Sequence, residues 1–229
     1  MIEHVYQRAL EADASEVIVA TDDTRIVEVV ESFGGLAMMT SKAHGSGTDR
    51  VAEIAEQMDW PEDAIVVNLQ GDEPMMEPAL IKTAAKDLAQ HPGAGIATLA
   101  TPLTSREDVF DPNVVKVVMN HEGMALYFSR APIPWVREDF SSSPQFSQGL
   151  PANVPFHCHL GLYAYRAGVL RAFPSLGPCA LEQAEALEQN RALYHGIQIH
   201  LSIRSTVQGH GVDTEDDLRR VEALLVSTK

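Results

Sequence analysis

Two aspartates stand where an α/β chain could hold a hard cation. Asp72 follows an apolar run over 65–69 through Gln70-Gly71, with Glu73-Pro74 behind it. Asp213 lies between Gly209-His210-Gly211-Val212 and a helix start in which Thr214 and Asp217 are spaced as a capping box. The run over 65–69, with Val66 and Val67 adjacent, has the pattern of a strand covered on both faces in a parallel sheet. Ligands of open α/β sheets sit beyond the carboxyl ends of the strands, so Asp72 is expected at a site. Two carboxylates with open positions suit Mg²⁺, which keeps waters and is completed by substrate phosphates. The plainer alternatives are a solvated acidic turn at Asp72-Glu73 and helix capping by Asp213.

Other residues could bind rather than react. The small, polar stretch over 40–50 (TSKAHGSGTDR) runs into a helical pattern over 51–58. A loop of this kind opening a helix can offer backbone N–H groups to a base or phosphate. It carries only G-x-G, without a P-loop or a full dinucleotide fingerprint. His157 and His159 flank Cys158 on one strand face. They lack a third ligand, so His159 reads as a substrate contact and His157 as having no role. Glu182, Glu185 and Glu188 fall at helical spacing, which by itself selects none of them. Arg130 opens a proline-rich stretch; it either clamps a carboxylate bidentately or is a surface arginine.

The elements that must position these groups follow from periodicity. A helix is expected over 1–14, starting at the first residue without a cap, so that the α-amino charge opposes the helix dipole. That start suggests that something once preceded it. Strands are expected over 16–21, 36–39, 65–69 and 95–101, alternating with helices over 24–33, 51–58 and 78–90. This alternation means a doubly wound, mostly parallel sheet. The pattern then changes. A hairpin over 114–119 and 124–129 is followed by a long loop over 130–155, a strand over 157–166, one helix over 181–195, a late strand near 197–203 and a last helix from Thr214. The expected organisation is one domain over 1–229, with 114–166 as an antiparallel subregion.

Composition sets the remaining bounds. At 229 residues, 45% hydrophobic and 21% charged, the chain can bury a sizeable core. A formal net charge of -15 argues against nonspecific nucleic-acid binding and against anionic membrane surfaces. An anionic ligand would need local cations or a metal to offset that field. No apolar run approaches the ~20 residues of a membrane-spanning helix, and no signal peptide is visible. Cys158 and Cys179 form neither a zinc spacing nor a disulfide framework. The chain reads as cytoplasmic.

Taken in order, several stretches resemble the 3-deoxy-manno-octulosonate (Kdo) cytidylyltransferases. They are VATDD at 19–23, HGSGTDR at 44–50, VNLQGDEPM at 67–75, FDPNVVKVV at 110–118 and ALYFSRAPIPW at 125–135. HLGLYAYR at 159–166, LEQAEALEQNRAL at 181–193 and GVDTEDDLRRV at 211–221 continue the match. The resemblance implies a homodimeric α/β nucleotidyltransferase of the nucleotide-diphospho-sugar transferase kind. Such an enzyme uses CTP and Mg²⁺ to make CMP-Kdo and pyrophosphate for lipopolysaccharide biosynthesis. It assigns Asp72 and Asp213 to the metal and to catalysis, and Ser46, Gly47 and Thr48 to the nucleotide. Gln70, Arg130, His159, Tyr163, Glu188 and Gln189 fall to the sugar acid, and 114–166 becomes a sugar-binding and dimerisation subregion.

The chain departs from that family at three places. Gly45 stands where some members have glutamine, and Cys179-Ala180 replaces a more polar pair. The family's first strand and its basic phosphate-binding loop, a portion on the scale of ~30 residues, have no counterpart. The rival readings are a cytidylyltransferase for another 2-keto sugar acid and a non-catalytic, truncated dimerisation remnant.

Overall fold

Helix α1 (Ile2–Glu11) forms on an amphipathic repeat and buries Val5. Strand β1 (Ile18–Thr21) leads into α2 (Thr24–Ser32), whose N-cap is Asp23; its carboxylate accepts from the Arg25 N–H at 2.9 Å. The helix stops at Gly34, where φ of +81° suits a residue without Cβ and the Gly35 N–H donates back to Val30 O. Strand β2 (Leu36–Met39) pairs with β1 in parallel, Ile18 opposite Leu36. The next helix, α3 (Gly47–Gln57), starts four residues before the expected 51. Ser46 is its N-cap, with Oγ accepting from the Asp49 N–H at 3.2 Å, so the last four residues of the expected loop, 47–50, are the helix's first turn.

Strand β3 (Ile65–Asn68) and helix α4 (Pro78–Gln90) fall where periodicity put them. Strand β4 (Ile96–Pro102) and the short α5 (Arg106–Phe110) precede the hairpin of β5 (Lys116–Met119) and β6 (Ala125–Ser129). The Asn120 side chain accepts from the N–H groups of Glu122 and Met124, which builds the hairpin turn. A turn of helix, α6 (Arg137–Phe140), follows, then the long strand β7 (His157–Arg166) and α7 (Ala167–Ala172). The single helix expected over 181–195 is two, α8 (Ala180–Glu185) and α9 (Gln189–Tyr194), broken at Ala186 with φ of +50°. Strand β8 (Ile199–Ile203) and α10 (Glu215–Ser227) complete the chain. As the capping-box spacing required, Asp217 N–H donates to Thr214 Oγ1 and Thr214 N–H to Asp217 Oδ2.

The α/β class holds, and the sheets are mixed. The computed structural model describes residues 1–140, 149–205, 211–212 and 214–227, and its contacts divide the chain into two units. The first comprises Met1–Lys86, Leu162–Pro174 and Val207–Lys229; the second comprises Asp87–Gly161 and Ser175–Thr206. In the first, β1 and β2 form a two-stranded parallel sheet, and β3 pairs antiparallel with the last residues of β7, Asn68 opposite Tyr163. In the second, the order is β6-β5-β7-β4-β8, with β4 and β8 parallel and β5 antiparallel to both β6 and β7. The hairpin and the antiparallel β7 pairings are what make the sheets mixed rather than mostly parallel. No described helix is long and apolar enough to cross a membrane.

Candidate active-site half-sites

The first unit gathers the groups expected to hold nucleotide and metal. Arg50, in the first turns of α3, donates to Asp22 Oδ2 at 3.0 Å and to Thr40 Oγ1 at 2.5 Å. That pins the helix start to the residues just beyond β1 and β2. Gly47 backs onto Gln70, just beyond β3, so closely that a Cβ there would meet the Gln70 amide at 3.4 Å. Ser46, Gly47 and the buried Thr48 therefore sit at the strands' carboxyl ends, next to Gln70. The resemblance had assigned Gln70 to the other substrate. His44 pairs with Glu53, whose carboxyl is held below its ordinary range by the Ser41 N–H and by His44.

Asp72 is exposed in the turn after β3. The Val212 N–H donates to Asp72 O at 2.8 Å, and a Cβ on Gly211 would lie 3.0 Å from Glu73 Oε1. The segment leading to Asp213 thus lies against Asp72-Glu73, whereas Asp213 itself is outside the described residues. Carboxylate and carbonyl oxygens are the donor types a hard divalent cation takes, so the residues present fit Mg²⁺.

The second unit places Arg130, His159, Glu188 and Gln189; Tyr163, further along β7, belongs to the first, where it packs against Tyr165 at 5.8 Å. His159 Nε2 lies 3.0 Å from Thr98 Oγ1, and that hydroxyl donates its single proton to Leu160 O. Nε2 must therefore carry a proton and donate. Desolvation pushes this imidazole down to about 3, so it is neutral near pH 7.

Arg130 is committed in part. Its Nε donates to Glu185 O at 2.7 Å and one Nη to Pro112 O at 3.0 Å, leaving the other Nη for a carboxylate. The three glutamates that spacing could not separate have separate jobs. Glu182 pairs with Arg191 at 2.8 Å. Glu185 accepts from Tyr127 OH, Ser129 OH and the Arg130 N–H. Burial pushes the Glu185 carboxyl up, but those three donors outweigh it and hold the group below the ordinary range. Glu188 directly precedes α9, whose first residue, Gln189, is buried.

Sequence reasoning missed the residues that hold this half-site in shape. Asn190 donates to Phe128 O at 3.0 Å and accepts from Phe128 N–H, fixing α9 to β6. Lys116 is fully buried, and its ammonium donates to the carbonyls of Asp111, Val114 and Arg130 at 2.6–2.7 Å. Burial pulls its pKa down. Cys179, whose replacement of a polar pair had no assigned consequence, caps α8 through Sγ. Only strand adjacency could have revealed Asn190 and Lys116; the E-x-x-E spacing was a signal for Glu185, without a means of choosing.

Asp87, His91 and His200 form a further cluster in the second unit. His200 Nδ1 lies 2.6 Å from Asp87 Oδ2, and His91 Nδ1 lies 2.8 Å from Asp87 O. The two rings stack at 3.5 Å with planes 13° apart. Nitrogen lone pairs in stacked, parallel planes cannot converge on one ion about 2.1 Å away, so as packed this is a hydrogen-bonded prop between α4 and β8.

Comparison with known proteins identifies the fold as that of a nucleotidyltransferase. Residues 1–199 match the family model described as cytidylyltransferase. The 3-deoxy-manno-octulosonate cytidylyltransferase of Nitrosococcus oceani is 52% identical over 227 residues, covering 99% of this chain and 87% of the relative. The same-named protein of Hahella chejuensis is 51% identical over 228 residues, covering 100% and 88%. A solved structure of CMP:2-keto-3-deoxy-manno-octonic acid synthetase complexed with CTP superposes with a TM-score of 0.87 at 40% identity, covering 100% of this chain and 88% of that one. With half of its residues shared along essentially its whole length, the chain belongs to the cytidylyltransferase family.

Proposed function

We propose that this protein joins CTP to Kdo, giving CMP-Kdo and pyrophosphate for lipopolysaccharide biosynthesis, as a cytoplasmic homodimer that uses Mg²⁺. The observation that carries this is whole-chain identity of about half to relatives named for that reaction. In this reading the first turn of α3 and Gln70 receive the nucleotide. Gly47 has no side chain to obstruct an approach from Gln70's side, and Ser46 holds the helix start so that its N–H groups face an incoming anion. Arg130 offers its remaining Nη to the sugar carboxylate, and His159, Glu188 and Gln189 complete the polar set. Tyr163 belongs to the same substrate.

The sugar's anomeric hydroxyl attacks the α-phosphorus of CTP in line, and the bond to pyrophosphate breaks. The chain's contribution is alignment, which makes a bimolecular encounter effectively unimolecular. Asp72 and Asp213 would hold Mg²⁺, which when bound offsets triphosphate charge and acidifies the attacking hydroxyl. Exposed Leu126, Trp135 and Tyr194 are the apolar side chains that a second copy would cover.

The test is calorimetric titration with CTP, Kdo and a second 2-keto sugar acid, followed by pyrophosphate release with Mg²⁺. Kdo binding with a preference over the second acid is expected. Equal affinity for both acids would favour the broader cytidylyltransferase reading. Asp72→Asn keeps the shape and removes the charge, so it should raise the Mg²⁺ concentration needed for pyrophosphate release and lower the rate. An unchanged Mg²⁺ dependence would return Asp72 to a solvated turn.

A further inference from the structure

Glu185, the last residue of α8, meets Arg130 at two places. Its Oε2 accepts from the Arg130 backbone N–H at 2.9 Å, and its backbone O accepts from Arg130 Nε at 2.7 Å. That carbonyl is open to the arginine because Ala186, at φ of +50°, ends the helix there, and the last carbonyls of a helix take partners from outside it. Oε1 accepts from Tyr127 OH at 3.1 Å and from Ser129 Oγ at 2.6 Å, two residues that share one face of β6. Burial pushes the Glu185 carboxyl up, but these donors hold it below its ordinary range, so near pH 7 it is ionised and accepting.

Arg130 is held from further sides. Lys116 Nζ donates to its carbonyl at 2.6 Å, and Pro112 O takes one Nη at 3.0 Å. Among the described residues the other Nη has no partner, and no ion pair includes the guanidinium. Two charged groups thus lie together without a hydrogen bond between them. The carboxylate is taken up by two hydroxyls and a backbone N–H, and the guanidinium by two neutral carbonyls. The cation keeps its charge-assisted bonding for an anion from outside. A side chain fixed before that anion arrives also has less rotamer freedom to lose on binding.

We propose that Glu185 is a positioning residue for the sugar acid. It does not touch the ligand; it fixes the backbone and the guanidinium of Arg130, whose remaining Nη is kept for the carboxylate that separates a sugar acid from a neutral sugar. This rests on the assignment of Arg130 to that carboxylate.

The experiment titrates Kdo and CTP calorimetrically into the full chain and into Glu185→Ala, Glu185→Gln, Arg130→Ala and the Glu185→Ala/Arg130→Ala pair, with thermal midpoints recorded. Glu185→Ala should weaken Kdo binding roughly tenfold and leave CTP affinity within about twofold. In the Arg130→Ala background the same change should alter Kdo affinity by less than about threefold, because nothing is left to position. Glu185→Gln should recover most of the loss, since its amide oxygen can take the Arg130 N–H and its NH₂ can donate to the two hydroxyls. Additive losses, or a parallel loss of CTP affinity with a lowered midpoint, would assign Glu185 to structure alone and overturn the proposal. So would Kdo affinity that survives Glu185→Ala but not Arg130→Ala. Kdo affinity unchanged in Arg130→Ala would instead overturn the assignment of Arg130 itself, and the positioning role with it. If Glu185→Ala does not fold, Tyr127→Phe/Ser129→Ala, which frees the carboxylate from two of its anchors, replaces it in the cycle under the same criteria.

Discussion

Strand β3 in the first unit and strand β4 in the second are both short apolar runs that read as strands with both faces covered. In β4, residues 96–100 are all buried, and Leu99 and Ala100 are fully so. In β3, Ile65, Val66 and Val67 are each only half-buried. The difference is one of neighbours. β4 lies between β7 and β8, whereas β3 has a pairing strand on one edge and a hollow on the other. Hydrophobic pattern states what a strand is suited to; burial depends on whether something occupies the adjacent position.

The largest effect near neutral pH should separate the two strands directly. Leu99→Ala removes a fully buried side chain and is expected to cost about 3–4 kcal/mol, whereas Val66→Ala should cost about 1 kcal/mol. Hydrogen exchange read separately in each unit checks this, and equal losses would break the comparison.

The second effect is confined to the second unit and depends on pH. His159 has its folded pKa lowered to about 3, against 6.5 for the free group. Below pH 6.5 the unfolded chain takes up a proton that the folded one refuses. Stability is therefore full above that pH and falls as pH drops toward 3, by a total on the order of 4–5 kcal/mol. Urea midpoints measured across this range should fall more steeply for the native chain than for His159→Gln.

A third, smaller effect tests the proposed sugar-acid role of Gln189. Gln189→Ala should weaken Kdo binding roughly tenfold while leaving CTP affinity unchanged, about the value of one lost hydrogen bond. Calorimetry with each ligand checks it, and loss of CTP binding with Kdo binding intact would overturn that assignment. The smallest effect lies on α10. Arg219 pairs with Glu215 and Asp216 in full view of solvent, so Arg219→Ala should leave the denaturation midpoint unmoved.

The elements were largely legible because their signals are local. The 3.6 and 2 periods, Pro78 at a helix start and the Thr214–Asp217 box act within a turn or two of chain, so α4, β2, β7 and the start of α10 stand where the residues put them. The start of α3 was misread because Ser46 looks like part of a loop until its hydroxyl is seen taking the Asp49 N–H. Asp72 was placed beyond a strand end by the α/β rule, and the structure puts it in the turn after β3.

Sequence by itself determined the composition limits, the element order and the family motifs. Tertiary structure decided the rest. It breaks the 181–195 helix at Ala186 because Glu185 is drawn to Tyr127, Ser129 and Arg130, more than fifty positions earlier in the chain. It pairs His200 with Asp87, buries Lys116 under three carbonyls and leaves an open edge beside β3. The physical reason is common to all four. Propensity and capping depend on residues a few positions away, whereas burial, protonation and strand pairing depend on which distant segments the fold brings alongside.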